Sequence, residues 1–227
     1  MNDMKHCSKS HDSDFNKIEG LSWLPWVGER FNETKTLVIG ESQYEDGDCW
    51  QKGNPNSTRT LIGKRFEDSR ARIYLNTEKI LLNNRNPTNE EALYIWKSVA
   101  YCNLVQRLMT SRKDRPTHED LDFGWKMFFK LCSILKPETC IVLGKSICGR
   151  LGYYLNNNET IWKRTVSEFY EKEKIINLIS SDRKMKLVFI NHPSGSHGFS
   201  INKWMEFVNE NDPKLQKLFN LNEPHSR

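Results

Sequence analysis

Four short apolar runs punctuate a mostly polar chain, and stretches with helical spacing separate them. Thr36-Leu37-Val38-Ile39 closes on Gly40, Val99 to Val105 follows, then Thr139 to Leu143, and last Leu187 to Ile190. Each is too short for a stable helix and rich in β-branched residues, so each predicts a buried strand. Between them, apolar residues recur every three or four positions. Helices are predicted over Asp68 to Leu82, Asn89 to Trp96, His118 to Leu135, Ser146 to Leu155 and Phe199 to Val208. Thr88 with Glu91 three residues later has capping-box spacing, and Pro137 ends the longest helix. Residues 41–58 read as a long polar loop and 156–183 as a weakly patterned connection.

Strands separated by helices predict parallel pairing through right-handed crossovers. The expected fold is α/β, with three layers, α/β/α, around a central, mainly parallel four-stranded sheet. A chain of 227 residues, 37% hydrophobic, is long enough for one substantial core, which residues 20–210 are expected to form. Residues 1–19 are expected to be a flexible polar arm. Residues 211–227 are expected to be a polar tail in which Leu215, Leu218, Phe219 and Leu221 form a short docking helix.

Composition narrows the class. No run of about eighteen apolar residues occurs, and the first residues lack a signal peptide's apolar core, so a cytoplasmic protein without a membrane partner is expected. None of the six cysteines forms a C-x-x-C pair, and Cys132, Cys140 and Cys148 fall in apolar patterns. They read as buried thiols, with no metal site and no cofactor. The net charge of +5 changes the picture little. Arg59, Lys64, Arg65, Arg70 and Arg72 cluster with Lys52, Asn54 and Asn56. That cluster suits phosphates on a nucleic acid as well as it suits a solvated helix face balanced by Glu67 and Asp68.

Candidate chemistry gathers where strands end. Parallel strands place their carboxyl ends on one edge, so Gly40-Glu41-Ser42-Gln43-Tyr44, Asn103 and Asn191-His192-Pro193-Ser194-Gly195-Ser196-His197 converge there. A carboxylate, an amide and an imidazole around one cleft suit a flipped nucleobase: the amide pairs with a base edge and the histidine holds an oxygen that gains charge. A His-Pro pair after a strand also occurs in plain turns, and a loop glutamate is commonly just solvated. Trp23, Trp26 and Trp125 read as core aromatics, and His118 as a residue of a helix's first turn.

In this order and spacing the residues resemble the uracil-DNA glycosylase superfamily. Gly40-Glu41-Ser42-Gln43-Tyr44 resembles its first motif, of the type G-Q-D-P-Y or G-E-A-P-G, and His192-Pro193-Ser194-Gly195-Ser196 resembles its second, H-P-S-P-L-S. Cys102-Asn103-Leu104-Val105 resembles the strand whose Asn reads the extruded base, and Ile141 to Lys145 the strand and glycine turn between them. The resemblance spans about Pro25 to Val208. It implies a monofunctional DNA glycosylase that breaks an N-glycosidic bond and leaves an abasic site. His192 would hold the departing base's oxygen, and Glu41 would stabilise the cationic sugar and orient water. Asn103 would bind the pairing edge, Tyr44 and Trp50 would pack against the ring, and Ser194, Gly195 and Ser196 would hold a phosphate.

The departures bear on chemistry and specificity. Ser42 stands where the G-Q-D-P-Y type carries its carboxylate, leaving Glu41, Glu45, Asp46 and Asp48 as candidates. Ser196 replaces the leucine pushed into the vacated stack, so His197 or Phe199 becomes the candidate wedge on the DNA. The expected partner is DNA, duplex or single-stranded, carrying a damaged or modified base, and the expected state is a monomer. Uracil is the default target. The alternatives are a hypermodified cytosine of phage DNA, removed in antiviral defence, and a catalytically silent DNA-binding module.

Overall fold

The computed structural model describes residues 4–45, 53–67, 71–111, 113–170, 173–194 and 199–217. The strands are β1 (Trp26–Val27), β2 (Thr36–Gly40), β3 (Gln43–Tyr44), β4 (Val99–Asn103), β5 (Leu108–Met109), β6 (Thr139–Leu143), β7 (Lys163–Tyr170), β8 (Glu173–Ile179) and β9 (Lys184–Ile190). The helices are α1 (Asp12–Phe15), α2 (Phe31–Thr34), α3 (Ser57–Gly63), α4 (Arg72–Leu82), α5 (Asn89–Ser98), α6 (His118–Leu135), α7 (Cys148–Asn157) and α8 (Ile201–Asn211).

Seven strands form one mixed sheet in the order β1-β4-β2-β6-β9-β8-β7, and β3 pairs with β5 in a separate two-stranded parallel sheet. This corrects the expectation of a central four-stranded sheet. The four strands read from the apolar runs are β4, β2, β6 and β9, mutually parallel, but antiparallel β1 extends one side and the antiparallel pair β8 and β7 the other. The physical reasons are specific. At two residues β1 is too short to show a period, and Glu171-Lys172 between β7 and β8 carries no Gly, Pro, Asn or Asp to announce a hairpin. In β8, Ile175, Ile176 and Leu178 are buried beside Lys174 and Asn177, a pattern that fits neither strict alternation nor a helix.

Side-chain alternation divides the core into two layers. Leu37, Ile39, Ala100, Cys102, Cys140, Val142, Leu187 and Phe189 face α6 and α7, where Trp125, Phe128, Leu131 and Leu151 cover them. Val38, Val99, Tyr101, Ile141, Leu143, Val188 and Ile190 face α4, α5 and α8, against Ile80, Ile95, Trp96, Trp204 and Val208. Truncating Leu131 to alanine here costs about 2–5 kcal/mol, since a buried void replaces packed methyls. The capping box at Thr88 and Glu91 opens α5, and a second, Thr117 with Asp120, opens α6.

Described residues near both ends of the chain pack onto this body. In the N-terminal stretch Phe15 is buried against the α6 layer, and Ser8 N donates to Val27 O at 2.7 Å. Leu215 of the tail is buried in the other layer; Leu218, Phe219 and Leu221 lie outside the described residues. Cys7, Cys102, Cys132, Cys140 and Cys148 are buried free thiols. Among the described residues no helix is long and apolar enough to cross a membrane.

Candidate active site

The carboxyl ends of β4, β2, β6 and β9 lie side by side, with Gly40 paired to Asn103 and Leu143 to Ile190. The chain leaves this edge as Glu41, Leu104, Gly144 and Asn191, so the expected residues meet where loops begin. Alternation puts Gly40 and Asn103 on the α4 and α8 side of the sheet, and Asn76 of α4 holds the Pro193 carbonyl next to His192.

Gly40 is the residue on which the site's geometry turns. A Cβ there would lie 2.2 Å from Asn103 Oδ1 and 2.3 Å from the Tyr101 hydroxyl, so only glycine leaves these two side chains their place. Tyr101 and Asn103 are both buried, and the Tyr101 hydroxyl donates to Asn103 Oδ1 at 3.1 Å. Burial pushes the Tyr101 phenol well above its usual range, which keeps it protonated and a donor. Gln106 Nε2 donates to Asn103 O at 2.9 Å and its Oε1 accepts from Ser22 N at 3.0 Å, fixing the strand's exit.

Glu41 is partly buried, and its Oε2 accepts the Ser146 hydroxyl at 2.7 Å. Ser146 stands in a 3-10 turn (Lys145–Ile147) reached through Gly144, whose φ of 147° is open to glycine and disfavoured for other residues. One carboxylate oxygen is thereby oriented, while the other has no hydrogen-bond partner among the described residues. The neighbouring Ser42 Oγ is buried with no hydrogen-bond partner among the described residues.

His192 is held through one ring nitrogen. Ser194 N donates to Nδ1 at 3.3 Å, and the Ser194 hydroxyl lies 2.9 Å from the same atom. An amide N–H only donates, so Nδ1 is the acceptor and the neutral ring carries its proton on Nε2. From α4, Asn76 Nδ2 donates to Pro193 O at 2.6 Å and ties this loop to the helix. Burial lowers the proton affinity of His192, the Glu41 carboxylate works against that, and the Arg115 guanidinium adds to it. Those two charges place Glu41 and Arg115 within electrostatic reach of the ring. The arrangement supplies an uncharged N–H donor and an oriented carboxylate at one edge of the sheet.

Tyr44 goes elsewhere. As the second residue of β3 it pairs with Met109 and packs against the α6-side cluster, whereas Asn103 sits on the other face. Both donors of Ser194 turn to His192 instead of toward a ligand. Trp50, Gly195, Ser196 and His197 lie outside the described residues, as do Asp46 and Asp48. Glu45 is exposed.

Two arginines of the basic cluster are paired within the fold, and Lys52 and Arg70 lie outside the described residues. Arg59 is 1% exposed and clamps Asp12 through Nη2 at 2.6 Å and Nη1 at 3.0 Å, while Nε donates to Pro25 O. Arg65 pairs with buried Glu78 at 2.7 Å and 3.1 Å, and Trp96 Nε1 completes that carboxylate at 2.7 Å. Four residues of the site escaped the sequence: Tyr101, Ser146, Asn76 and Arg115. Only Tyr101 left a signal, a polar-tipped side chain two residues before Asn103 on the same strand face. Among the described residues no group of His, Cys, Asp or Glu side chains is placed to hold a metal ion. Compared with protein-family models the chain matches none, and no curated protein matches it either.

Proposed function

We propose that the protein is a monofunctional DNA glycosylase that flips out a noncanonical pyrimidine and hydrolyses its N-glycosidic bond. The observation that carries this reading is the pairing of His192, neutral with its proton on Nε2, with Glu41, whose carboxylate Ser146 orients at the same sheet edge. Bond breaking leaves negative charge on the base and positive charge on the sugar. The Nε2–H meets the first and Glu41 the second, with the carboxylate oxygen that Ser146 does not hold available to orient water. Asn103 supplies contact to the base edge. Extrusion costs a few kcal/mol, which favours damaged, mispaired or single-stranded targets.

Uracil is the first target to test. A base bulky at its 5-position is the second reading, and one observation favours it: Tyr44 packs on the α6 side and not on the face of Asn103. Duplex and single-stranded oligonucleotides carrying uracil, thymine, cytosine and 5-substituted pyrimidines, treated with protein and then alkali, test both. Cleavage at one modified base supports the glycosylase reading. Intact oligonucleotides throughout, with DNA still bound, overturn it in favour of a silent binding module.

A further inference from the structure

The small sheet of β3 and β5 hangs from the carboxyl edge and brings a second loop to it. Val105 N donates to Glu41 O at 2.9 Å, β5 pairs with β3 through Leu108 with Gln43 and Met109 with Tyr44, and Glu45 N donates to Met109 O at 2.9 Å. The chain then reaches α6 through residues 110–117, so this segment starts beside the loop that carries Glu41. Both of its ends are pinned. Asp114 accepts from Arg107 Nη1 at 3.0 Å and from Thr110 N at 3.1 Å, while Pro116 fixes its own backbone angle and Thr117 caps α6. Arg115 stands between these anchors.

The arginines near this edge divide by what holds them. Arg107 bridges Asp114 and Asp120, and Arg150 pairs with Asp122. Arg115 is exposed, with neither an ion pair nor a hydrogen bond among the described residues. Its charge still reaches the candidate site. Burial is the main cause of the lowered proton affinity of His192, and the Arg115 guanidinium adds to it. A guanidinium on a braced backbone, left without a carboxylate and facing the cleft's imidazole, is set for an anion that arrives with the substrate. A phosphate fits best, because two N–H groups in a rigid fork meet two of its oxygens.

We infer that Arg115 is a substrate-binding residue whose guanidinium takes one backbone phosphate of the strand that carries the extruded base. The inference rests on the reading of this edge as a DNA site and adds a contact that seats the strand there. Ser194, expected to hold a phosphate, turns both its donors to His192, so the strand needs another anchor. Arg115 supplies one from the opposite loop. The contact carries no base information, since a phosphate is the same at every nucleotide; it fixes where the strand lies relative to His192 and Glu41.

Binding tests this without catalysis. The probe is a duplex carrying one tetrahydrofuran abasic analogue, which sets the register and has no base to release, followed by fluorescence anisotropy across a range of salt. Arg115→Gln is expected to weaken binding about tenfold at low salt and to flatten the slope of log affinity against log salt by about 0.9, the share of one phosphate contact. Methylphosphonates, which remove the charge of one phosphate at a time, then locate it. At one position near the analogue the neutral linkage is expected to cost wild type about tenfold and to cost Arg115→Gln nothing further, because the pair is already broken. Losses that add to that of Arg115→Gln at every position overturn the inference, and so does an unchanged affinity and slope. A variant that is merely misfolded loses affinity without this coupling, and its thermal transition shows it. Where the coupling appears but no oligonucleotide with a modified base yields an abasic site, the glycosylase reading falls and the phosphate contact stands. Where abasic sites form and Arg115→Gln binds as wild type does, the contact falls and the glycosylase reading stands. Where wild type binds no DNA, both fall.

Discussion

The two edges of the parallel strands differ in kind. At their amino ends a groove of about 1020 Å³ opens, lined in part by Asn177, Lys184, Lys186, Asp212 and Lys214. It has volume and positive charge, but its polar groups are turned to local closure: Lys186 Nζ donates to Asn211 O at 3.1 Å, and Lys214 Nζ pairs with Glu138 at 2.5 Å. At the carboxyl ends the polar groups are held by neighbours, and each keeps one functional atom without a hydrogen-bond partner among the described residues. His192 is fixed through Nδ1, Glu41 through Oε2, and Asn103 through Oδ1. Chemistry needs groups set in place before the reaction begins, and size alone does not supply that. The carboxyl edge is therefore the better candidate although the other end holds a large groove.

The widest contrast comes from His192. His192→Ala is expected to slow single-turnover base release at least about a hundredfold with DNA binding largely kept, since the donor to the leaving base is lost. Lys184→Ala and Lys217→Ala, both in the lining of the groove at the other edge, are expected to stay within about twofold. Comparable losses at both edges would erase the distinction.

Glu41 comes next. Glu41→Gln is expected to slow release about tenfold to a hundredfold, because an amide neither balances the cationic sugar nor accepts a proton from water. Ser146→Ala leaves the carboxylate but frees its oriented oxygen, so a smaller loss of about fivefold is expected in the same assay. Exposed Glu45, changed to Gln, is expected to matter least. A Glu45→Gln effect equal to that of Glu41→Gln would move the carboxylate's role to another residue of the loop.

What the sequence could reveal of this contrast follows from range. The central strands were legible because burial on both faces makes continuous apolar runs, and the two strand-end motifs because glycine and polar residues follow them directly. The outer strands were not: β7 and β8 carry mixed charge, and β1 has two residues. Within the site, Glu41, Asn103 and His192 stood out by type and place, but their orienting partners are set by tertiary contact. Ser146 lies 105 residues from Glu41, and Asn76 lies 117 from Pro193, in an element with no motif of its own. Arg59 and Arg65 could be read either way for the converse reason, since the pairings with Asp12 and Glu78 are set by the fold and not by local spacing.

The pH profile sharpens the carboxyl edge further. The Nε2 donor requires neutral His192, and its proton affinity lies below the usual histidine value of 6.5. Release is therefore expected to hold as pH falls to that value and to fade only at lower pH. Arg115 depresses the same affinity, so Arg115→Gln is expected to shift this acid limb upward, read from single-turnover rates between pH 5 and 8. A limb unmoved by Arg115→Gln, or moved downward, would separate Arg115 from the site.

The smallest effect belongs to the amino edge and is confined to stability. Asp212 is 4% exposed; burial raises its carboxyl above the ordinary 3.8, and the Thr36 hydroxyl, donating to Oδ2 at 2.8 Å, opposes the rise. A carboxyl that holds its proton more tightly folded than unfolded contributes most below the unfolded value, and that contribution fades as pH climbs through the folded one. The ionised form at neutral pH thus works against the fold. Relative to Asp212→Asn, which carries no charge to titrate, wild type is expected to lose thermal stability as pH rises from the ordinary 3.8 through the raised folded value. Thermal transitions of the two proteins across that range give the difference directly. Base release at neutral pH is expected to be unchanged, because Asp212 stands at the opposite ends of the strands from His192 and Glu41. A stability difference independent of pH would show that this carboxyl is not the burdened group, and a loss of release would join the two edges into one functional unit.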